Sequence, residues 1–138
     1  MFEVDEIFST IENATMKLVL VVEADAEIGS LLVQAIKEKT SYQAFLVTNG
    51  IQALQITREV TPDLFVLDYR LPGMDGFELY KLLHTMEELE YVPAILMSAS
   101  SFFSRSDNEQ HKVPNLQKAL ELDCLLHIIR ELLAERWL

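Results

Sequence analysis

Cysteine is almost missing from this 138-residue chain, with Cys124 the only one. Neither an intrachain disulfide nor a cysteine-based zinc cluster is therefore possible. Positive charge is also scarce: 11 Lys and Arg stand against 22 Asp and Glu, a net charge of -11. A surface of that sign repels nucleic-acid phosphates and anionic lipid, which argues against direct binding to either. No apolar run approaches the roughly 20 residues that a helix needs to span a bilayer. The first residues are acidic where a secretory signal is basic, so the expected compartment is the cytoplasm. No internal repeat or low-complexity linker divides the chain. With 50% hydrophobic residues it is expected to bury one core as a globular domain.

The chain is organised around Thr61 to Phe77, TPDLFVLDYRLPGMDGF. Leu64 to Leu67 is a continuous run of β-favouring apolar residues, the pattern of a strand buried on both faces. It ends in the carboxylate of Asp68. Leu71-Pro72-Gly73-Met74 cannot continue a strand, because proline removes a ladder donor and glycine invites a turn. Asp75 then caps a helix that begins with Gly76 and Phe77 and runs to about Glu88, with Leu79, Leu82, Leu83 and Met86 inward. Asp68 is thereby expected at the carboxyl end of a buried strand, the edge at which open parallel sheets bind ligands.

The flanking segments repeat the alternation of strand and helix. Lys17 to Val22 reads as a first buried strand, followed by Glu23, Ala24 and Asp25. Ile28, Leu31, Leu32, Ala35 and Ile36 recur as the core stripe of a helix starting near Asp25. Ala44 to Val47 is a shorter strand, broken by Asn49-Gly50. Ala53, Leu54 and Val60 predict a helix up to the Thr61-Pro62 boundary. Val92 to Met97 is a fourth strand and ends in Ser98-Ala99-Ser100. Ser104 to Lys112 is wholly polar, so a helix there has little to bury, and the segment is expected to be a short or frayed helix or a mobile loop. Val113 to Gln117 is a short fifth strand. Leu122, Leu125, Leu126, Ile129, Leu132 and Leu133 form a strongly amphipathic last helix. This alternation predicts an α/β domain, a doubly wound parallel sheet of five βα units joined by right-handed crossovers. Residues 1–16 stand apart as an extension of the 17–138 domain: Val4, Ile7, Phe8 and Ile11 fall at the spacing of a short amphipathic helix over Asp5 to Asn13, and a frayed extension before a second possible start at Met16 is the alternative.

Four strand ends carry candidate chemistry: Glu23, Asp68, Ser98 and Lys118. Any one of them has an ordinary explanation as a solvated residue. Together, two carboxylates, a hydroxyl and an ammonium at one sheet edge suit phosphoryl transfer to a carboxylate. The oxygens would hold a divalent cation, while serine and lysine would orient the incoming phosphoryl oxygens.

On these residues the chain resembles a receiver domain of the two-component response regulators. The resemblance covers residues 17–138. Its most specific piece is PDLFVLDYRLPGMDGFEL, supported by LVLVVEADAEIGSLL, NGIQAL, PAILMSAS and LQKALELDCLLHII. It implies a flavodoxin-like sheet of order 2-1-3-4-5. It also implies Asp68 as the phosphoacceptor, Ser98 as the hydroxyl that follows the phosphoryl group and Lys118 as its ammonium partner. Mg²⁺ would be held by Glu23, Asp68 and the backbone carbonyl of Arg70. The donor would be a histidine kinase or phosphotransfer protein, and the output a contact with a downstream protein rather than an enzymatic activity.

Four positions that depart from the family pattern bear on function. Ala24 occupies the position of the second of two adjacent acidic residues, normally a direct magnesium ligand, so Mg²⁺ binding is expected to be weak; Asp25 is expected to cap the following helix instead. The Arg70 guanidinium either folds over the site to pair with Glu23 or Asp68, or points into solvent. Lys118 precedes Ala119 where the family has a proline after a cis bond; a cis bond before alanine costs roughly 2.5 to 4 kcal/mol, which predicts a trans bond and a displaced lysine. Asn115 stands where the family often has a switching aromatic.

These departures keep a second reading alive, a pseudo-receiver that binds a partner without being phosphorylated. A flavodoxin-like cofactor binder fits less well, because the Glu23-Ala24-Asp25 turn is acidic where a bound phosphate needs donors. An aspartate-dependent phosphatase also fits poorly, because Arg70 stands where that family has a second acid. The sequence further predicts a stand-alone receiver with no output domain after Leu138. Apolar surface beside Ile128 and the last helix would then be covered by a second copy of the chain, as a homodimer, or by the stripe of the amino-terminal extension.

Overall fold

The computed structural model describes residues 16–98, 115–117 and 122–134. The expected amino-terminal helix, the segment Ser104 to Lys112 and the Lys118-Ala119 pair lie outside the described residues. So does what covers the face beside the last helix.

The elements in chain order are β1 (Leu18–Val22), α1 (Ala26–Lys39), β2 (Gln43–Val47), α2 (Gly50–Ile56), β3 (Leu64–Asp68), β4 (Arg70–Leu71), β5 (Met74–Asp75), α3 (Gly76–Leu83), a 3₁₀ turn (Glu87–Leu89), β6 (Ala94–Ser98), β7 (Asn115–Gln117) and α4 (Leu122–Ala134). Five parallel strands form one sheet in the order β2-β1-β3-β6-β7. Counted without the β4–β5 pair, this is the expected 2-1-3-4-5 arrangement. The small antiparallel β4–β5 ladder is an addition: the stretch from Arg70 to Asp75 folds back as a hairpin rather than a plain loop. Gly73 takes a φ of 82° at its tip, a conformation that costs glycine almost nothing.

Both faces of the sheet are covered, which explains the continuous apolar strands. Leu18, Leu20, Val22, Phe65, Leu67, Ala94 and Leu96 pack with Ala53 and Ile56 of α2 and Leu79 and Leu83 of α3. The alternate residues Val19, Val21, Leu64, Val66, Ile95 and Met97 pack with Leu32 and Ile36 of α1 and Leu125, Leu126, Ile129 and Leu133 of α4. The two-residue period of the strands assigns neighbours to opposite layers.

Three helices differ in detail from their sequence patterns. In α1 the residues facing the sheet are Gly29, Leu32 and Ile36, while Ile28 and Leu31 are exposed, Leu31 to 66%. The buried stripe is rotated by one residue, because Gly29 lets the helix approach Leu46 closely. The α2 helix stops at Ile56 instead of continuing to Pro62: Thr57 caps it, with its hydroxyl donating to the Ala53 carbonyl at 2.9 Å, and Val60 is buried from the following turn. The α3 helix ends at Leu83 rather than Glu88, and Leu82 is exposed. His84 terminates it, with Nδ1 2.9 Å from the Tyr80 carbonyl and Nε2 2.8 Å from the Val92 carbonyl.

Candidate functional site at the carboxyl edge of the sheet

Strand register brings three sequence candidates together. Val22 pairs with Leu67, so Glu23 and Asp68 follow at the same level of adjacent strands. Asp68 in turn pairs with Met97, which places Ser98 one residue further along the next strand. Both carboxylates share the alternation phase of the α1–α4 layer, continuing Val19 and Val21 on one strand and Leu64 and Val66 on the other. Glu23, Asp68 and Ser98 are only 1%, 2% and 7% exposed. Buried carboxylates at neighbouring strand ends are costly unless something compensates their charge.

Backbone amides supply part of that compensation. Ala24 N–H donates to Asp68 Oδ2 at 3.3 Å, and Arg70 N–H donates to Oδ1 at 3.1 Å. Each oxygen of the carboxylate is thus held by one loop. Glu23 Oε2 accepts from the Asp25 amide at 2.9 Å, and the Glu23 amide donates to the Val47 carbonyl at 3.1 Å. Asp25 itself is occupied as the cap of α1, with Oδ1 accepting from the amides of Glu27 at 2.9 Å and Ile28 at 3.2 Å. It does not take over the position that Ala24 leaves without a carboxylate.

The loop beyond Asp68 is fixed from both ends. Tyr69 N–H donates to the Met97 carbonyl at 2.8 Å, which extends the ladder by one residue, and Gly76 N–H donates back to the Tyr69 carbonyl at 2.7 Å. A Cβ at Gly76 would collide with the Asp68 carbonyl oxygen, so this position can hold only glycine without a backbone shift. Asp75 and Glu78 form a reciprocal capping box at the start of α3, with bonds of 2.7 and 2.9 Å. One turn further along, burial pushes the Tyr80 phenol above its ordinary value of 10.0.

The Arg70 side chain is exposed and makes no ion pair with Glu23 or Asp68 among the described residues. Of its two expected arrangements, the solvent-facing one is found, and the residue reaches Asp68 through its amide alone. Lys118 lies outside the described residues, and of Asn115 only its place in β7 is described. Three features were missed in the sequence: the Ala24 amide, the Arg70 amide and the glycine requirement at position 76. Main-chain donors carry no residue-type signal, although Gly76 directly after the Asp75 cap was a visible hint.

The site is thus two buried carboxylates and a hydroxyl at the carboxyl edge of a doubly wound parallel sheet, and comparison with known proteins gives the family. The response regulator receiver domain matches residues 19–129, and the chain belongs to that family. The polar-differentiation response regulator DivK of Brucella anthropi is 35% identical over 94 residues, covering 68% of this chain and 74% of DivK. Among solved structures, the chemotaxis response regulator CheY4 of Vibrio cholerae aligns with a TM-score of 0.75 at 18% identity, over 85% of this chain and 98% of CheY4. The Mn²⁺-bound form of the response regulator Rcp1 aligns with a TM-score of 0.67 at 21% identity, over 83% and 90% of the two chains. At such identities the structures speak for the fold. No helix among the described residues is long and apolar enough to cross a membrane.

Proposed function

We propose that Asp68 accepts a phosphoryl group from a phosphohistidine of a histidine kinase or phosphotransfer protein, and that the 17–138 domain then signals by contact with a downstream protein. The observation that carries this reading is a buried aspartate at a strand end, gripped at both oxygens by amides and flanked by Glu23 and Ser98. In the transfer an Asp68 oxygen attacks phosphorus and the P–N bond to the donor imidazole breaks. The imidazole keeps the electron pair and takes up a proton, leaving an acyl phosphate on Asp68. Because such a transition state is mostly charge, catalysis is positioning plus electrostatics. The two amides orient the carboxylate, the Ser98 hydroxyl donates to a phosphoryl oxygen, and the family role of Lys118 is to neutralise another. The chain itself turns over no substrate in this reading.

The donor chemistry of the edge fits a divalent cation. Glu23 and Asp68 offer adjacent carboxylates and the Arg70 carbonyl a third oxygen, all hard ligands of the kind Mg²⁺ takes together with water. A bound Mg²⁺ would neutralise charge that develops on the phosphoryl oxygens. With Ala24 lacking a carboxylate and Asp25 committed to capping, we infer that the cation is held weakly.

The test is intact-mass spectrometry after incubation with a small phosphodonor and Mg²⁺. One phosphoryl adduct is expected in the wild type and none in Asp68→Asn. No adduct with any donor on a folded protein would leave the second reading, a phosphorylation-independent interaction module, which Ala24 favours by depriving the site of a metal ligand.

A further inference from the structure

We propose that Met74, seated against Gly50, is a positioning residue for Asp68, a role that rests on Asp68 being the phosphoacceptor. The path between them is short and made of described contacts. Arg70 holds Asp68 Oδ1 through its amide at 3.1 Å. Arg70 and Leu71 pair with Asp75 and Met74 across the hairpin, so the position of one arm sets the position of the other. The hairpin is only two residues wide on each arm, too small to be rigid by itself. Its outer arm rests on the first residue of α2: a methyl group at Gly50 would stand 2.7 Å from the Met74 sulfur, 3.1 Å from its Cγ and 3.2 Å from its Cε. The thioether therefore fills the space above Gly50, and Met74 packs on the core layer shared by α2 and α3. On its inner side the hairpin is stopped by Gly76 against the Asp68 backbone. The Arg70 amide is consequently fixed between two close approaches, one on the backbone of Asp68 and one on α2.

Gly50 is a clean place to disturb this contact. It is the first residue of α2 after the Asn49 cap, and its φ lies outside the left-handed region, so alanine suits its backbone. The three heavy atoms nearest to a Gly50 methyl group all belong to Met74, so Gly50→Ala presses on this contact first.

The experiment measures the rate of acyl-phosphate formation with acetyl phosphate and Mg²⁺ as a function of donor concentration. In parallel, NMR measures hydrogen exchange at the Arg70 amide in the unmodified protein. Met74→Ala is expected to lower the maximal rate about tenfold with little change in half-saturation, the scale that a small misplacement of reacting groups produces. Gly50→Ala should lower it in the same sense, Met74→Leu should stay within about twofold of wild type, and Gly50→Ala should add nothing in a Met74→Ala background, because the two act through one contact. Arg70 exchange should accelerate in Met74→Ala and return in Met74→Leu. Wild-type rates and exchange in both single variants, or effects that simply add, would overturn the proposal. Circular dichroism checks folding; if Met74→Ala does not fold, Gly50→Ala and Met74→Leu decide. If the wild type takes no adduct, the phosphoacceptor reading fails, and Arg70 exchange alone then decides whether Met74 fixes the hairpin.

Discussion

The β1–α1 turn and the β3–α3 loop leave adjacent buried strands, reach helices capped by an aspartate, and each point one amide at Asp68. They differ in how they stay in place. The first crosses from strand to helix in Glu23, Ala24 and Asp25, and its shape is set within itself: Glu23 Oε2 takes the Asp25 amide and Asp25 Oδ1 takes two amides of α1. The second detours through a hairpin whose shape is set by its neighbours, Gly50 on one side and the Asp68 backbone on the other. A short turn is stiff because few dihedrals are free, whereas a longer one is defined by what it rests on. The β3–α3 loop should therefore be the more vulnerable of the two to substitutions.

Gly76→Ala should be the most damaging substitution in either connection. Its methyl group meets main-chain atoms of Asp68 and Tyr69 that cannot rotate away, so urea denaturation should give a loss of about 1–3 kcal/mol, the range for overpacking. A loss near zero would mean that the loop yields as freely as a surface turn. Ala24→Asp sharpens the contrast from the other side, since it adds a carboxylate to the short turn without lengthening it. Calorimetric titration should show Mg²⁺ bound at least about tenfold more tightly than by the wild type, or 1.4 kcal/mol. Equal affinities would mean that another group already serves. Asp25→Ala should have the smallest effect: about 1 kcal/mol of stability from the lost cap, with Mg²⁺ affinity unchanged. Weakened Mg²⁺ binding in that variant would make Asp25 a ligand and erase the distinction between turn and site.

The succession of strands and helices and the place of Asp68 were legible because both depend on side-chain polarity along the chain, whereas the order of strands in the sheet followed only from the family resemblance. Leu64 to Leu67, bounded by Pro62-Asp63 and Pro72-Gly73, reads as a strand covered on both faces, and a carboxylate directly after it falls at the sheet edge. Helix phase was less legible. In α1 the most apolar stripe includes Ile28 and Leu31, yet the face that packs is Gly29, Leu32 and Ile36, and the lack of bulk at Gly29, not hydrophobicity, brings the helix onto Leu46. Helix length failed for a related reason: Val60 and Met86 lie at helical spacing and are recruited to the core, but from turns that follow Thr57 and His84. The grip on Asp68 was not legible at all, because amides are common to nearly all residues and only the fold selects which two converge.

A carboxylate held by main-chain N–H groups makes no demand on the side chains at the two donor positions. Positions 24 and 70 can exchange residues freely while Asp68 keeps its orientation, and only proline, which has no N–H, would release an oxygen. An alanine and an arginine can therefore stand there, and the side chains around the Asp68 carboxylate can change in single steps while its two donors stay in place.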